Sequence, residues 1–541
     1  MKKQILIRSA AVLAAALLTI SAATAAPGGA AKPKTSPADI SRFVFPTNTV
    51  IVKAEIVTGD TLTAGKNKIP LPEYCKVSGR INQRVGIGAN GPAEYYIGFE
   101  LRLPAEWNGR LFFEGGGGSD GVIKPPVGSR QTGAVPALAR GFATVATDAG
   151  HQGGDCQFGY DQTARVDYFY NAVLETAVTA KSIIRDYYGT PVEYSYFVGG
   201  SNGGRQGLAF AQRFPDIFDG IVAGAPALNL TKAAIAEMWA NQVFAKIAPV
   251  DAGGMPLIYK ALDQKDLDAV AAAVKKAYDA KDGLEDGLVF DIEAERDFVL
   301  TAQATGLSEA KSAALRKHFE GPKNSKGERL YSNWPWDTGI SDIGWRSWIL
   351  GTEKALPRNV SLGSDSMARI FTTPAAPDYS SEKKLEWSMK YDFDLDPPRT
   401  VMTAALLDNA NPRLTAFNKL GGKLILYHGM SDPVFSAYDT IAYYKRVMEE
   451  NGGLAATRSF ARLFLFPGMS HVSGGPATDQ FDVLTAIMDW IEKGVAPDKI
   501  IATGTPGGPY EKISRPIFPY PAQTVYDGKG DPASASSFIA K

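Results

Sequence analysis

The chain has 541 residues with 57 basic and 57 acidic side chains, so its formal net charge is zero. This length allows a large core and more than one domain. A neutral chain lacks the basic field that nucleic acids and anionic membranes attract, which argues against either as a main partner. Apolar residues make up 45% of the chain, an ordinary share for a globular protein.

Residues 1–25 are predicted to be a secretory signal peptide. Lys2, Lys3 and Arg8 form a positive start, AAVLAAALLTISAA is the apolar stretch, and Ala23–Ala25 resembles a small-residue cleavage site. The apolar run is short for a membrane span, so export is favoured over a transmembrane anchor. We therefore expect a periplasmic or secreted protein with no membrane anchor after signal cleavage.

Residues 26–228 are predicted to form the first part of an α/β domain. Strand-like segments alternate here with helix-like ones. The predicted strands are YYIGFELRLP, RLFFE, GFATVATDAG, EYSYFVGG and FDGIVAGAPA, and the predicted helices are NAVLETAVTAKSIIRDYYG and GRQGLAFAQRFP. Such alternation is typical of a parallel sheet covered by helices.

The α/β pattern is interrupted between residues 229 and 405. This stretch is helical and rich in loops, and it carries the tryptophan-bearing segment SNWPWDTGISDIGWRSWILG. Strand signals resume in residues 406–541, at GKLILYHGMSD and ARLFLFPGMSH. The simplest interpretation is one α/β domain whose two parts flank a large inserted domain.

The segment Gly199–Gly203 fits the pattern G-x-S-x-G between a predicted strand and a predicted helix. A serine nucleophile at such a sharp turn needs neighbours without bulky side chains. A phosphate-binding loop is the alternative, but it requires a lysine after the final glycines, where this chain has Arg205. Ser201 is therefore the candidate nucleophile.

A serine nucleophile needs a histidine base and a carboxylate that orients it. Asp432 and His471 each follow an apolar strand, so a parallel sheet would place both at its carboxyl edge. The chain order of Ser201, Asp432 and His471 is the order found in α/β-hydrolases. These three residues are the predicted catalytic triad.

The chain has four histidines, and three of them lie outside this triad. His151 and His428 also follow strands; a structural role is the more common one there, and contact with substrate is the alternative. We keep His428 as a candidate substrate contact. His318, in LRKHFE, is expected on the surface of a helix.

An oxyanion hole requires two backbone N–H donors near the nucleophile. The N–H of Asn202, directly after the serine, is one candidate. The glycine run at residues 115–118 offers the second, and we choose Gly117. A plain glycine turn is the alternative interpretation of that run.

A cluster of aspartates in the inserted segment, YDAKDGLEDGLVFD, predicts a calcium site. Asp279, Asp282 and Asp286 are closely spaced among glycines and offer the hard oxygen ligands that Ca²⁺ prefers. The backbone carbonyls of Leu284 and Leu288 could complete the ligand set. The alternative is a solvated acidic turn.

Taken together, the chain resembles the tannase and feruloyl esterase family of serine hydrolases, which includes enzymes acting on mono(2-hydroxyethyl) terephthalate. The matching segments are WNGRLFFEGGGG, ATDAGHQGGD, GGSNGGRQGL, DGLEDG, GKLILYHGMSDP, PGMSHVSGGP and RPIFPYP. The resemblance implies an α/β-hydrolase core with a large inserted lid. It also implies that Ser201, Asp432 and His471 are catalytic and that the aspartate motif holds a structural calcium ion.

The chain departs from the family at its cysteines. The positions where the resemblance implies bridged cysteines hold other residues here, namely Gly200, Val472, Tyr278, Phe518 and Ala540. Cys75 keeps a family position without an upstream partner, and whether it pairs with Cys156 stays open. The usual disulfides are therefore absent, and this leaves the preferred substrate open as well.

Four tryptophans of the lid segment suit a planar aryl group, although packing in the lid core is an equal alternative for each. They are Trp334, Trp336, Trp345 and Trp348. We take Trp345 and Trp348 as candidate substrate contacts and Arg346 as a guess for the family's carboxylate-binding arginine. The expected function is hydrolysis of small aromatic esters. A non-catalytic binding protein and an acyltransferase with the same triad are the alternatives.

Overall fold

The structure is a computed structural model that describes residues 30–64 and 67–541. The predicted signal peptide, residues 1–25, lies outside the described residues. In the part that is described, no helix has both the length and the apolar character that crossing a membrane requires.

Nine strands of the described ranges pair in one large mixed sheet, and six short strands form three separate pairs. In chain order the strands are β1 (Thr49–Val57), β2 (Thr61–Ala64), β3 (Asn67–Pro70), β4 (Tyr74–Gly88), β5 (Gly91–Pro104), β6 (Arg110–Glu114), β7 (Ala143–Thr147), β8 (Tyr194–Gly200), β9 (Gly220–Gly224), β10 (Lys423–Gly429), β11 (Ala461–Phe466), β12 (Ile500–Thr503), β13 (Ser514–Ile517), β14 (Thr524–Tyr526) and β15 (Phe538–Ala540).

The large sheet has the order β1-β4-β5-β7-β6-β8-β9-β10-β11. From β7 to β11 every neighbouring pair is parallel, as the alternation of strands and helices predicts. The other end is antiparallel, which the sequence pattern alone did not indicate. For the pair β4 and β5 the reason is local: only residues 89–90 join them, and so short a connection can only make a hairpin.

Fourteen α-helices lie within the described residues, along with shorter 3₁₀ and π turns. They are α1 (Gln162–Val166), α2 (Ala172–Tyr188), α3 (Asn202–Arg213), α4 (Leu230–Ala245), α5 (Gln264–Tyr278), α6 (Ala302–Thr305), α7 (Glu309–Phe319), α8 (Ile343–Ile349), α9 (Lys384–Met389), α10 (Val401–Leu407), α11 (Thr415–Lys419), α12 (Ala437–Glu450), α13 (Gly453–Arg458) and α14 (Val483–Lys493).

The sheet carries apolar side chains on both faces because its central strands are buried from both sides. Phe197 belongs to the core that includes buried residues of α2 and α3, whereas its neighbour Val198 belongs to the core formed with Ile487 of α14. Successive residues of a strand point to opposite faces, so one buried strand feeds both cores. The central strands are thereby fixed, and with them the loops at their carboxyl ends.

The long insertion lies between β9 and β10, and it contributes no strand to the large sheet in the described residues. Its two ends meet, because the N–H of Asn409 donates to the carbonyl of Leu228 at 2.9 Å. The predicted limits of the insertion, residues 229 and 405, fall beside this contact. The insertion therefore leaves and re-enters the α/β core at one place, next to the carboxyl edge of the sheet.

Candidate active site

Ser201 lies at a strained turn between β8 and α3, with φ 63° and ψ −126°. A non-glycine residue rarely adopts a positive φ, and such strain is common at functional sites. The Ser201 N–H donates to the carbonyl of Gly224 at 2.8 Å, which holds the turn against β9. A side chain at Gly199 would lie 2.6 Å from backbone atoms of Gly203, and one at Gly203 would lie 2.7 Å from the carbonyl of Gly116. Gly199 and Gly203 therefore cannot carry a side chain unless the backbone around them moves.

The candidate base and its carboxylate are joined by a hydrogen bond, with His471 Nδ1 and Asp432 Oδ2 2.8 Å apart. They come together because β10 and β11 are parallel neighbours, so the loops that follow them meet at one edge. Asp432 is buried, and its Oδ1 accepts the N–H groups of Val434 and Phe435 at 2.8 and 3.2 Å. The carboxylate is therefore fixed in position by its own loop.

Asp432 stays ionised although it is buried. Burial raises its pKa, but the charge of His471 and the hydrogen bonds from His428 and His471 outweigh burial and hold the pKa well below its usual range. An ionised carboxylate at Nδ1 favours the tautomer that leaves Nε2 free to accept a proton. The contact with Asp432 thus holds the ring of His471 at Nδ1 and leaves Nε2 as the candidate base.

Ser201 and His471 open onto the same cavity, which has a volume of about 400 Å³. That size suits a small-molecule ligand. Trp348 and Phe435 also line it, and their ring centroids lie 5.7 and 5.4 Å from that of His471. Aromatic rings therefore flank the candidate base on the cavity wall.

The predicted oxyanion donors are both at the cavity, but one of them is already engaged. Asn202 and Gly117 line the cavity, yet the Gly117 N–H donates to Oδ1 of Asp120 at 2.7 Å. The next amide, that of Gly118, makes no hydrogen bond within residues 30–64 and 67–541. Gly118 also lines the cavity, so its N–H is the better candidate. The prediction of Gly117 did not foresee that the chain turns after the glycine run and brings Asp120 to the Gly117 amide.

Asp120 is a residue that the sequence analysis missed. Its carboxylate accepts from the Gly117 N–H, from the side chain of Asn202 at 2.8 Å and from that of Gln206 at 2.9 Å. Burial raises its pKa to about 7, against the effect of these bonds. Asp120 joins the glycine run to the start of α3. The only sequence signal was an acidic residue at the end of GGGGSD.

Of the two candidate tryptophan contacts, only Trp348 lines the cavity. Trp345 is 2% exposed and packs in the lid core against Phe244, His318 and Phe319. Both lie on the short helix α8, and three residues are nearly one turn, so neighbours on one helix face would be expected. The lid core, however, takes up the ring of Trp345. The predicted contact of Trp345 with substrate is not supported.

The structure also places His428 and His318 differently from the predicted substrate contact and the predicted helix surface. His428 is fully buried and does not line the cavity; its ring nitrogens contact Thr440 and the carbonyl of Phe435, and Nε2 lies 3.2 Å from Asp432. It supports the carboxylate instead of contacting substrate. His318, expected on a helix surface, is 2% exposed because α7 is covered by other lid elements.

The arginine guessed for substrate recognition is also placed elsewhere. The guanidinium of Arg346 donates to the carbonyls of Leu262 and Tyr259 inside the lid. Arg358 lines the cavity instead, with its guanidinium 4.7 Å from the ring centroid of Trp348. The sequence carried no signal that distinguishes these two arginines, because both follow apolar lid segments.

The aspartates of the predicted calcium motif lie close enough to affect each other. Burial raises the pKa of Asp282 to about 7, and the charges of Asp286 and Asp279 contribute. Carboxylates that repel one another in this way suit a hard cation by their chemistry. However, the described residues contain no group of three or more ligating side chains arranged around a metal position, and Arg515 pairs with Asp286. The calcium ion stays a prediction.

The two cysteines are free and buried. Burial raises the pKa of Cys75 to about 11 and that of Cys156 to about 12, so both thiols stay protonated and unreactive. The open question of a bridge between them is answered: this structure does not join them. The described part of the chain therefore folds without a disulfide bond.

Ser201 at its strained elbow and the hydrogen-bonded pair of Asp432 and His471 share one cavity, and serine hydrolases use residues of these types. The family described as "Tannase and feruloyl esterase" matches residues 75–541. The chain belongs to this family and is a carboxylic ester hydrolase with an α/β-hydrolase core.

Individual relatives agree with this assignment. The chain is 40% identical over 530 residues to "Mono(2-hydroxyethyl) terephthalate hydrolase" of Piscinibacter sakaiensis, covering 88% of this chain and 86% of the relative. It is 30% identical to "Probable feruloyl esterase" of Arthroderma benhamiae, over 81% of each chain. Feruloyl esterase B from Aspergillus oryzae has a similar fold, with a TM-score of 0.72 at 23% identity, over 93% of this chain and all of the other.

Proposed function

We propose that this protein is an exported serine esterase that hydrolyses esters of aromatic acids through an acyl-enzyme on Ser201. The observation that carries the proposal is the 2.8 Å hydrogen bond between Asp432 and His471, whose ring faces the cavity that Ser201 also lines. This pair can activate a serine, and the family to which the chain belongs acts on esters.

In the first half-reaction, His471 Nε2 takes the proton of Ser201 as Oγ attacks the ester carbonyl. Asp432 stabilises the imidazolium that forms. The N–H groups of Asn202 and Gly118 would hold the oxyanion. Collapse of the tetrahedral intermediate then releases the alcohol, which receives its proton from His471.

In the second half-reaction, His471 takes a proton from water as the water attacks the acyl-serine. His471 returns that proton to Ser201 Oγ as the acyl–oxygen bond breaks and the acid leaves. The same chemistry with an alcohol in place of water would be acyl transfer. Whether hydrolysis or acyl transfer occurs depends on whether water or an alcohol enters the cavity. A cavity of about 400 Å³ that opens to solvent admits water, so hydrolysis is the outcome we propose.

The aromatic preference is supported by the walls of the cavity. Trp348 and Phe435 offer aromatic faces beside His471, where an aryl group can pack. Arg358 adds a guanidinium on the same wall, suited to a carboxylate or another anionic substituent. Two relatives, a mono(2-hydroxyethyl) terephthalate hydrolase and a probable feruloyl esterase, have names that imply acyl groups of this kind.

Two further elements of the proposal come from the sequence. The signal-like start indicates export to the periplasm or outside the cell. The motif of Asp279, Asp282 and Asp286, with carbonyls of Leu284 and Leu288, would hold a structural calcium ion in the lid. Such an ion would offset the repulsion among carboxylates and would take no part in the proton transfers.

The test compares the wild type with Ser201→Ala on p-nitrophenyl, ferulate, gallate and mono-terephthalate esters, with and without added alcohol acceptors. We expect turnover of aromatic esters by the wild type and a loss of at least about 10³-fold in Ser201→Ala. Ser459→Ala, on the exposed surface, serves as the matched control. Absence of turnover on every ester would contradict the proposal, and so would unchanged turnover in Ser201→Ala.

A further inference from the structure

A carboxyl group that neither the triad nor the calcium motif uses faces the same cavity. It belongs to Glu237 on α4, the first helix of the lid. Leu230, seven residues earlier, lines the cavity too, so both side chains lie on one face of the helix, two turns apart. The side chain of Glu237 is half-buried, while most of α4 around it is packed into the core.

The lid leaves room for this carboxyl opposite α4. A methyl group at Gly363 would overlap Oε2 of Glu237. Gly363 has no positive φ, so its backbone does not demand glycine. The bare Cα of Gly363 therefore leaves the space that the carboxyl of Glu237 occupies at the wall of the cavity.

The carboxyl of Glu237 has no partner within the protein. Among the described residues it makes no hydrogen bond and no ion pair, and burial alone raises its pKa to about 8. Arg358 lines the same cavity but lies over Trp348. The side chain is half-buried and the cavity opens to solvent, so water can hydrogen bond to the carboxyl in the free protein. A ligand that expels this water without replacing its hydrogen bonds leaves the carboxyl unpaired, which is unfavourable even when it is neutral. A ligand in the cavity can supply what the protein does not.

We propose that Glu237 is a specificity-determining residue that hydrogen bonds to a hydroxyl group of the ester substrate. This inference rests on the proposed esterase function and adds the substrate class: esters that carry a hydroxyl group, on the aromatic ring or on the alcohol. At neutral pH the protonated carboxyl can donate to the hydroxyl and accept from it. When ionised it still accepts, so the hydroxyl is recognised in both forms.

The preference follows from what happens without the hydroxyl. A substrate that lacks it leaves the carboxyl of Glu237 desolvated and unpaired in the complex. Sites built to bond a hydroxyl reject analogues without one, because the polar group of the site loses its partner. Glu237 would therefore raise the ratio of kcat/KM between hydroxylated and plain esters.

The test uses two matched pairs of substrates. Methyl 4-hydroxycinnamate against methyl cinnamate reports a hydroxyl on the acyl ring, and 2-hydroxyethyl benzoate against ethyl benzoate reports one on the alcohol. In Glu237→Ala we expect the kcat/KM ratio of at least one pair to fall about five- to tenfold, with plain esters still cleaved. Glu237→Gln, which keeps a donor and an acceptor, should retain most of the ratio.

A second variant tests the carboxyl of Glu237 by filling the space next to it. Gly363→Ala would displace the carboxyl of Glu237 and should lower the same ratio as Glu237→Ala. Glu353→Gln, an exposed lid carboxyl, is the control and should change neither ratio. Unchanged ratios in both pairs for Glu237→Ala and Gly363→Ala would overturn the inference.

A binding readout separates this inference from the proposed function. In a Ser201→Ala background, Kd for both members of each pair is measured with and without Glu237→Ala. We expect Glu237→Ala to weaken binding of a hydroxylated ester about fivefold and that of its plain partner little. Equal effects on both members of both pairs would overturn the role of Glu237. Failure of the wild type to cleave any ester would instead refute the esterase proposal, while leaving this binding difference measurable.

Discussion

Gly200 and Val472 face each other directly beneath the candidate nucleophile and base. A Cβ atom at Gly200 would lie 2.6 Å from Cγ1 of Val472 and 3.5 Å from its Cβ. The second distance is within the range that joins the Cβ atoms of a disulfide. The resemblance to the family implies cysteines at these two positions. Here a glycine and a valine take the same space, so the link beneath the site is replaced by packing.

The double variant Gly200→Cys/Val472→Cys is expected to form a disulfide, because the two positions already have the required separation. The bridge should raise the free energy of unfolding by ~2–5 kcal/mol and leave kcat within about twofold, since no proton passes through it. Thiol titration and denaturant unfolding with and without reductant measure this. If the thiols stay free in oxidised protein, the inferred geometry is incorrect. Gly200→Ala alone should destabilise, because its methyl crowds Val472.

Trp345 and Trp348 should have separable roles. Trp345→Ala removes a ring from the lid core and should lower the free energy of unfolding by about 3–5 kcal/mol. Trp348→Ala should cost less stability but lower kcat/KM about tenfold for aromatic esters, with a smaller effect on acetate esters. Denaturant melts and steady-state kinetics on both variants check this. The reverse pattern would contradict the placement of the two rings.

Asp120→Asn should lower kcat about ten- to a hundredfold with little change in KM. The carboxylate accepts three donors, from Gly117, Asn202 and Gln206, and an amide would turn a donor toward one of them. The glycine run and the start of α3 would shift, and with them the proposed oxyanion donors. Steady-state kinetics measure the effect, with the exposed Asp155→Asn as control. Equal kcat values for Asp120→Asn and the wild type would show that the network does not position the donors.

His318→Phe should stabilise the protein, most of all in acid. Both ring nitrogens are buried without a partner in the described part of the chain, and burial lowers the pKa of His318 to about 3. Between pH 6.5 and about 3 the unfolded state binds a proton that the folded state does not, so stability falls as the pH falls through this window. At pH 4.5, two units below the pKa of the unfolded state, this one histidine costs about 3 kcal/mol.

The check for His318→Phe is denaturant unfolding at pH 7 and pH 4.5. The variant should lose less stability between the two values than the wild type, because phenylalanine fits the same aromatic surroundings of Trp334 and Phe244 and binds no proton. Parallel losses in both proteins would mean that His318 charges without unfolding the lid.

Calcium removal should destabilise the lid if the aspartate motif holds the ion. We expect about one calcium ion per chain by metal analysis, and a stability gain from added calcium of ~4 kcal/mol at a thousandfold excess over Kd. Asp282→Asn should abolish both, whereas the exposed Asp297→Asn should abolish neither. Chelated and calcium-loaded proteins with the same thermal midpoint would contradict the site.

The sequence by itself was enough to predict the family, the α/β fold and the candidates for the triad. Ser201, Asp432 and His471 could be chosen because each follows an apolar strand, and parallel strands bring their carboxyl ends to one edge. The helix α2 could be predicted with its end at Gly189, which has φ 69°. These features are local: apolar periodicity, glycine at a turn and the order of elements fix them before the chain is folded.

The tertiary structure decided what surrounds the candidate triad. Contacts between distant segments decide which of two nearby tryptophans and which of two arginines line the cavity. They also decide which amide of the glycine run makes no hydrogen bond in the described residues. The expected exposure of His318 was wrong for the same reason, and for His428 the structure favours the structural role over contact with substrate. Burial comes from what packs against a helix or a loop. Glu237 gave no signal in the sequence at all. Its environment is made by α4 and the bare Cα of Gly363, which lie 126 residues apart in the chain and meet only when the lid is folded.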